Sequence, residues 1–441
     1  MRTHAVAVVF RPSRHDAEIL RLAVLALGSL AAEPLYVLVD TAIVGHLGRP
    51  QLAALGIAGV VLSGLFAIFN FLAYGTTAQV ARAAGAGRRE VADRLGAQAF
   101  WLSLALGCAL AALLAAFAEP VVALMGGEGQ TADYAVTYTR IASLGLPFAF
   151  LALGGQGYMR GIADLRTPLV ILVAANAANV VLEVVFVYGF GWGIAGSAWG
   201  TAIAQAGMGV AFAASMWRLA AGRFRLRIDL MRRLLAIGRH IFVRTSALYA
   251  SLAVAGAVAT RFGDASIGAH QIAFQLWIFL AFVLDAVAIA GQVIVGRMLG
   301  AGDPQGAFTA SVRMIVMSVA LGTAFAAAVL ALATVLPRVF TGDAAVIGEA
   351  RDIWALFALA LPLSAAVYAL DGILIGAGDA RYLMWSMIVS GASSIALALA
   401  ALELEWGIVG VWSALLLLNV VRLATLSARF ARRRWLVTGW A

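Results

Sequence analysis

Glu33, Pro34, Tyr36 and Asp40 fall inside one apolar run, with Glu33, Tyr36 and Asp40 spaced i, i+3, i+7 on a single helical face. A charged group at the centre of a membrane-spanning helix costs roughly 2.5–3.5 kcal/mol, so each needs a reason to be there. Pro34 removes a backbone hydrogen bond and can kink the helix between the two acids. A carboxylate on a bent helix can bind a proton or a cation differently in two conformations. Asp40 is therefore a candidate ion-coupling residue and Pro34 a candidate hinge. The plainer alternatives are an Asp40 that bonds a neighbouring helix and a Glu33 that only fixes the kink. Asn176, Asn179 and Glu183 repeat the i, i+3, i+7 spacing further along. They offer amide and carboxylate oxygens, the donors that a hard cation such as Na⁺ takes and that a proton network also uses. Thr201 and Gln205, one turn apart, could complete this set; Asn as interhelical glue and Thr bonded to its own backbone are the plain readings.

A second group lies later in the chain. Arg244, Asp285 and Asp371 sit in three different apolar runs, and a lone Arg in lipid calls for acidic partners. They are read as an ion-pair network or, together with Tyr36, as substrate contacts. His270 reads as a core or solvated histidine. His46, His240 and His270 lack metal-ligand spacing, so no structural metal is expected. If a metal ion binds, it is Na⁺ at Asp40, Asn179 and Glu183.

The elements that must hold these residues are membrane helices. Of 441 residues, 63% are hydrophobic and only 12% charged, too apolar for a soluble fold. Runs long enough to cross a bilayer recur, and twelve are read: 17–46, 51–81, 95–118, 134–158, 168–190, 194–218, 235–262, 267–297, 308–334, 346–376, 382–402 and 407–430. Period-2 alternation is absent, so they are helices rather than barrel strands. There is no Lys, which excludes a Walker A loop and ATP binding by that route. Cys108 is the single cysteine and reads as a packing residue. The first sixteen residues carry Arg2, Arg11 and Arg14 without a cleavage site, so no removable signal peptide is expected. The net charge of +9 is gathered in the even-numbered loops and the C-terminal tail, while the odd loops are mostly acidic. That pattern is the positive-inside bias rather than a nucleic-acid surface, and it predicts both termini in the cytoplasm.

The chain is also written twice. Val80-Ala81-Arg82-Ala83-Ala84-Gly85-Ala86-Gly87 returns as Val295-Gly296-Arg297-Met298-Leu299-Gly300-Ala301-Gly302, a shift of 215 residues that also maps Pro147 onto Pro362, Gly161 onto Gly376 and Asp164 onto Asp379. Repeats of this length in a membrane chain are a transporter signature. The expected fold is an all-α integral membrane protein with twelve transmembrane helices in two six-helix lobes, related by a pseudo-twofold along the membrane normal. The expected parts are a tail (1–16), an N-terminal lobe (17–219), a basic linker (220–234), a C-terminal lobe (235–430) and a basic tail (431–441). Arg223-Phe224-Arg225-Leu226-Arg227 in the linker reads as a basic amphipathic segment on the lipid surface, as a partner-binding peptide, or as an ordinary linker. Gly56, Gly59 and Ser63 would let helices approach closely. Gly154-Gly155-Gln156-Gly157 is only a fragment of a dinucleotide loop. The charges are not repeated: Asp40 maps onto Ala255, and Glu183 onto Leu397 or Ala398. A scaffold kept twice with its acids kept once places the ion site in the first half.

Glu-Pro-Leu-Tyr-x-x-x-Asp-Thr-Ala-x-Val-Gly-His-Leu-Gly from Glu33 to Gly48, the two Val-x-Arg-x-x-Gly-Ala-Gly repeats and the Asn179-x-x-x-Glu183 pair resemble the multidrug and toxic compound extrusion (MATE) family, and within it the DinF-like branch. The resemblance covers nearly the whole chain. It implies a V-shaped pair of six-helix lobes that exports organic cations or other toxic compounds against inward H⁺ or Na⁺. It implies an ion-responsive Asp40 on a bendable first helix, cation-coordinating Asn179 and Glu183, and Thr201 as a helper. Glu183 stands where many relatives carry Asp, and Arg244 occupies the region of an acidic seventh helix found in another branch. The expected protein is thus a non-enzymatic antiporter without cofactors. Its expected partners are a small cationic amphipathic substrate and membrane lipid, with neither nucleic acid nor ATP, and it is expected to be a monomer in a bacterial-type inner membrane. A flippase for a lipid-linked precursor, an intramembrane enzyme and a passive channel are the alternatives. The flippase would want several deep arginines, and only Arg244 is read as deep.

Overall fold

The computed structural model describes residues 15–220 and 223–439. Arg2, Arg11 and Arg14 of the N-terminal tail fall outside the described residues, as does the side chain of Glu33.

Every regular element among the described residues is helical. The chain runs through α1 (Asp16–Gly45), α2 (Arg49–Phe69), α3 (Phe71–Gly85), α4 (Arg89–Ala116), α5 (Ala118–Leu124), α6 (Gly129–Ser143), α7 (Leu146–Gly161) and α8 (Arg166–Val184). After a π-helical turn (Val185–Gly189) come α9 (Gly193–Leu219), α10 (Ile228–Arg261), α11 (Asp264–Gly300), α12 (Pro304–Ala331), α13 (Leu336–Phe340), α14 (Ala344–Gly376), α15 (Ala380–Glu403) and α16 (Gly407–Ala431). Ten stretches are long and apolar enough to cross a bilayer, α2 with α3 and α8 with its π-helical turn each counting as one. The pair α6 and α7, bent by 52°, makes an eleventh. With 27 residues α9 is also long enough, but its Gly, Ser, Thr and Gln residues dilute its hydropathy. These twelve rods stand where the apolar runs predict them.

The chain divides into two compact units, Gly28–Gly238 and the remainder, which joins the residues up to Leu27 with Arg239–Ala441. The division therefore cuts α1 near its middle and α10 near its start, inside the apolar runs rather than in the linker. In the second unit, the start of α1 is held by ion pairs: Arg313 grips Asp16 with two bonds of 2.7 and 2.8 Å, and Arg297 bonds Glu18 at 2.5 Å.

The repeat in sequence is a repeat in packing. In the first unit α7 packs against α3, α4 and α9; in the second, α14 packs against α11, α12 and α16. A Cβ on Gly157 would lie 2.7 Å from the Ala73 carbonyl, and one on Gly161 3.1 Å from that of Thr77. The positions 215 residues on behave alike: a Cβ on Gly372 would lie 2.2 Å from the Ala288 carbonyl and one on Gly376 2.6 Å from that of Gln292. A Cβ on Gly107 would lie 2.7 Å from the Cα of Pro147, and one on Gly322 3.0 Å from that of Pro362. Backbone contact at small residues is how membrane helices gain dispersion energy, since lipid supplies no hydrophobic drive between them. Gly56 and Gly59, expected to serve this purpose, have open space where a Cβ would be. Gly154, Gly155 and Gly157 are packing residues within α7 rather than a nucleotide loop.

One further expectation needs correction. Cys108 is exposed rather than packed, on an apolar stretch of α4. Residues 223–227 of the linker form no regular element, and they are strapped to α4. Arg223 Nη1 donates to Asp93 Oδ2 at 3.0 Å, and Trp101 Nε1 donates to the Phe224 carbonyl at 2.8 Å. Gln98 donates to the Arg225 carbonyl at 3.0 Å and accepts from the Arg227 N–H at 2.8 Å. Phe224 stacks on Trp217 with ring centroids 4.8 Å apart.

Candidate functional site

Within the unit Gly28–Gly238, α1, α6, α8 and α9 bring their polar side chains to one place. Asp40 is 5% exposed and Glu183 fully buried. Ser197 Oγ donates to Asp40 Oδ1 at 2.7 Å. The hydroxyls of Tyr36 and Thr201 bond each other at 2.9 Å, and Thr201 Oγ1 donates to Glu183 Oε1 over a long 3.4 Å. The Asn179 amide, turned so that both of its ends are satisfied, donates to Glu183 Oε1 at 3.1 Å and accepts from the Thr201 N–H at 3.1 Å. Tyr138, from α6, stands near Asp40, Ser197 and Thr201. The carboxyls of Asp40 and Glu183 are near enough for the charge of one to act on the other. Glu183 Oε2 receives no N–H or O–H donor.

Local sequence explains how this fits inside a helical bundle. Gly200 leaves the room that Glu183 fills, since a Cβ there would stand 2.9 Å from Glu183 Cγ. The π-helical turn Val185–Gly189 follows Glu183 directly and re-aims the end of α8; such turns are frequent at functional sites. Ser197 and Thr201 are one turn apart on α9 and present their hydroxyls on one stripe.

The residues that sequence spacing groups together do not all meet. Asn176 turns away from the cluster, and its Nδ2 donates to the Ala32 carbonyl at 2.8 Å, two residues before Pro34. It ties α8 to the proline segment of α1 instead of facing the carboxyls. Gln205 packs against Gly145, and its Oε1 has no partner. Tyr36 bonds Thr201 of its own unit, so it belongs with Asp40 and not with the arginine network. Pro34 lies inside a continuous α1, six residues before Asp40. His270 is a core residue, 3% exposed and stacked on Phe274 at 5.4 Å.

Arg244, Asp285 and Asp371 cluster in the other unit, with a member that sequence reading missed. Arg244 and Arg422 both donate to Asp371 Oδ2, Arg244 at 2.5 Å. Tyr368, half-buried, stands near Arg244, Arg422, Asp285 and Asp371. Arg422 is 4% exposed, so Arg244 is not the only deep arginine. Its signal was present, a charge in the middle of the last apolar run. Ser197 was legible as Thr201 minus one turn. Tyr138 had no such mark, because it stands in a run with other aromatic residues.

The two clusters differ in charge. The groups reaching Asp40 and Glu183 are hydroxyls, an amide and each other, and none is basic among the described residues. Two carboxyls close together in a low-dielectric place do not readily both ionise without a compensating cation. The first cluster can therefore hold a proton or a small cation, whereas Asp371 already has two internal cations.

Comparison with known proteins agrees with this architecture. The MatE family profile matches residues 26–185 and 241–402, one stretch in each repeat. The chloroplastic Protein DETOXIFICATION 44 of Arabidopsis thaliana is 28% identical over 430 residues, covering 94% of this chain and 82% of that protein. DNA damage-inducible protein F of Escherichia coli K12 is 28% identical over 428 residues, covering 92% and 90%. Among solved structures, an outward-facing multidrug resistance MATE family transporter of the MOP superfamily aligns with a TM-score of 0.86 at 21% identity, covering 95% of this chain and 96% of that one. The Vibrio cholerae MATE transporter VcmN in its bent form aligns at 0.87 and 19% identity, with coverage of 95% and 96%. With each repeat matched along most of its length, this chain belongs to the MatE family, whose members are transporters rather than enzymes.

Proposed function

We propose that this transporter is an antiporter that exports small cationic amphipathic molecules in exchange for H⁺ or Na⁺, with the Asp40–Glu183 pair as its ion-responsive group. One observation carries the reading. Two buried carboxyls lie close to each other, near Tyr36, Tyr138, Asn179, Ser197 and Thr201, with no basic partner among the described residues. An incoming ion changes the charge of this cluster. The side chains of Asp40 and Tyr36 connect that change to α1, with Pro34 as the bend and Asn176 as the tie at its base. The ion and the export substrate compete through the two conformations of this helix, each biasing the equilibrium by its difference in affinity for them. The names of relatives support the cargo: similar proteins include a multidrug resistance protein of Pseudomonas aeruginosa and a probable one of Bradyrhizobium diazoefficiens.

Na⁺ is the second reading for the ion, because the cluster offers hydroxyl, amide and carboxylate oxygens together. On our reading the protein is a monomer in a bacterial-type inner membrane, with both termini and the arginine-rich even loops in the cytoplasm. The two repeats form two six-helix lobes that exchange access.

The test is efflux of ethidium from vesicles under separately imposed pH and Na⁺ gradients. The wild type should export under one of them. Asp40→Asn should fold and lose gradient-driven export. Undiminished export by Asp40→Asn would overturn the assignment.

A further inference from the structure

Both repeats end in the same device. In the unit Gly28–Gly238 the chain leaving α9 stacks Phe224 on Trp217 of α9 and sets it edge-on to Phe100 of α4, with centroids 4.8 and 5.3 Å apart. In the other unit the chain leaving α16 does likewise. Trp435, 1% exposed, stacks on Phe430 of α16 at 5.3 Å, and Phe430 stacks on Phe308 of α12 at 5.3 Å. The backbone of this second strap is fixed at further points. Arg433 takes the left-handed conformation, φ 55°, which a non-glycine residue keeps only where its surroundings hold it. The Trp435 indole N–H donates to the Phe430 carbonyl at 3.2 Å, and the Gly439 N–H donates to the Leu299 carbonyl of α11 at 2.9 Å.

The two straps use their arginines differently. In the first, Arg223 pairs with Asp93 and Arg227 with Asp229, each at 3.0 Å. In the second, Arg432, Arg433 and Arg434 are all exposed, and none forms an ion pair among the described residues. The acids of the same unit's helix ends are committed elsewhere: Glu18 to Arg297, Asp16 to Arg313, Asp379 to Arg429, and Asp303 to the Gly306 N–H. The Arg433 guanidinium lies over the Phe308 ring, 4.1 Å from its centroid. Stacking occupies the face of a guanidinium and leaves its in-plane N–H donors open. Three like charges on one short pinned segment repel one another, and an anion relieves that repulsion. Apolar surface accompanies the charge, since Val437 is 59% exposed. The level in the membrane also fits. α16 is long and apolar enough to cross a bilayer, and Arg432 directly follows its last residue, where the phosphates of a leaflet lie.

We propose that residues 432–437 form a preformed docking surface for anionic phospholipid. The guanidiniums of Arg432, Arg433 and Arg434 take the headgroup phosphates through charge-assisted hydrogen bonds, and Val437 adds an apolar contact. Trp435 and Gly439 hold the segment in place before the lipid arrives, so little ordering is left to offset the gain. The leaflet concerned follows from the topology proposed above; the binding itself does not depend on it.

The experiment is native mass spectrometry of the full-length protein in a neutral detergent, with dioctanoyl phosphatidylglycerol, zwitterionic dioctanoyl phosphatidylcholine and chain-free sn-glycerol 3-phosphate as probes. No bilayer, gradient or orientation enters, so the result is separate from the fate of the antiport and topology readings. The wild type should retain phosphatidylglycerol at least about tenfold more tightly than phosphatidylcholine. Each basic residue near an anionic surface is worth about fivefold. Arg432→Gln/Arg433→Gln/Arg434→Gln, all at exposed positions, should therefore lose at least about fivefold of that preference. Arg49→Gln/Arg261→Gln/Arg338→Gln, the same change in net charge at exposed positions elsewhere, should keep it. Trp435→Ala leaves the arginines but unpins them and should also weaken the preference. Equal retention of the two lipids by the wild type, an unchanged preference in the Arg432–434 or Trp435 variant, an equal loss in the charge control, or glycerol 3-phosphate bound as tightly as the lipid would each overturn the proposal.

Discussion

A buried carboxyl is useful to a transporter only if its surroundings leave its charge undecided, and the neighbours of each acid show which acids meet that condition. Asp40 faces Ser197, Tyr138 and a second carboxyl, all of which tolerate either the neutral or the charged form by rotating a hydroxyl. Asp371 instead faces two guanidiniums, each paired with its carboxylate. Ser197 is the sharpest probe of the first environment. Ser197→Ala removes the 2.7 Å donor to Asp40 and should cost about 1–2 kcal/mol. The readout is a lower thermal midpoint in detergent, together with weaker gradient-driven efflux, and Ser197→Thr should restore most of both. A midpoint and an efflux rate equal to wild type would remove Ser197 from the site. Asn176 shows how far spacing alone can be trusted. It shares a helical stripe with Asn179 and Glu183, yet its amide reaches the Ala32 carbonyl, because a stripe seven residues long spans more axial distance than one small cluster occupies.

At the scale of elements, the bundle is built on crossings where backbone touches backbone. Gly372 is the tightest, with Ala288 O only 2.2 Å from where a Cβ would be. That oxygen belongs to a helix and cannot move aside as a flexible side chain would. Gly372→Ala should therefore force α14 and α11 apart at about 1–3 kcal/mol, lowering the thermal midpoint, whereas Gly56→Ala, facing open space, should leave it unchanged. Equal midpoints for the two variants would show that the crossing is looser than described. The same reasoning explains why the repeat is so regular at its glycines and so irregular at its acids. A crossing needs one residue type in both copies, while an ion site needs a particular constellation that one copy supplies.

At the scale of the whole chain, the first helix is shared between units. Its start is pinned by Arg313 and Arg297 in the unit of Arg239–Ala441, and its second half carries Tyr36 and Asp40 into the unit of Gly28–Gly238. Asp16→Cys with Arg313→Cys, made in a Cys108→Ser background, should be joined by a short bifunctional thiol reagent long enough to replace the arginine side chain, visible after cleavage of the chain in the 223–227 strap. Fragments that separate after treatment with that reagent would show that α1 does not begin where the structure puts it. The amino-acid sequence alone determined the helical class, the twelve spans, the duplication and the identity of most polar residues in the candidate site, because apolar length, Gly and Pro positions and the cost of charge in lipid are local properties that each run carries by itself. Only the tertiary structure decided that Tyr138 joins Asp40, that Asn176 and Gln205 do not, that Arg422 shares Asp371 with Arg244, and that α1 divides near Leu27. Those are facts about which stripes of different helices face one another, set by close packing across crossings and carried by no single run.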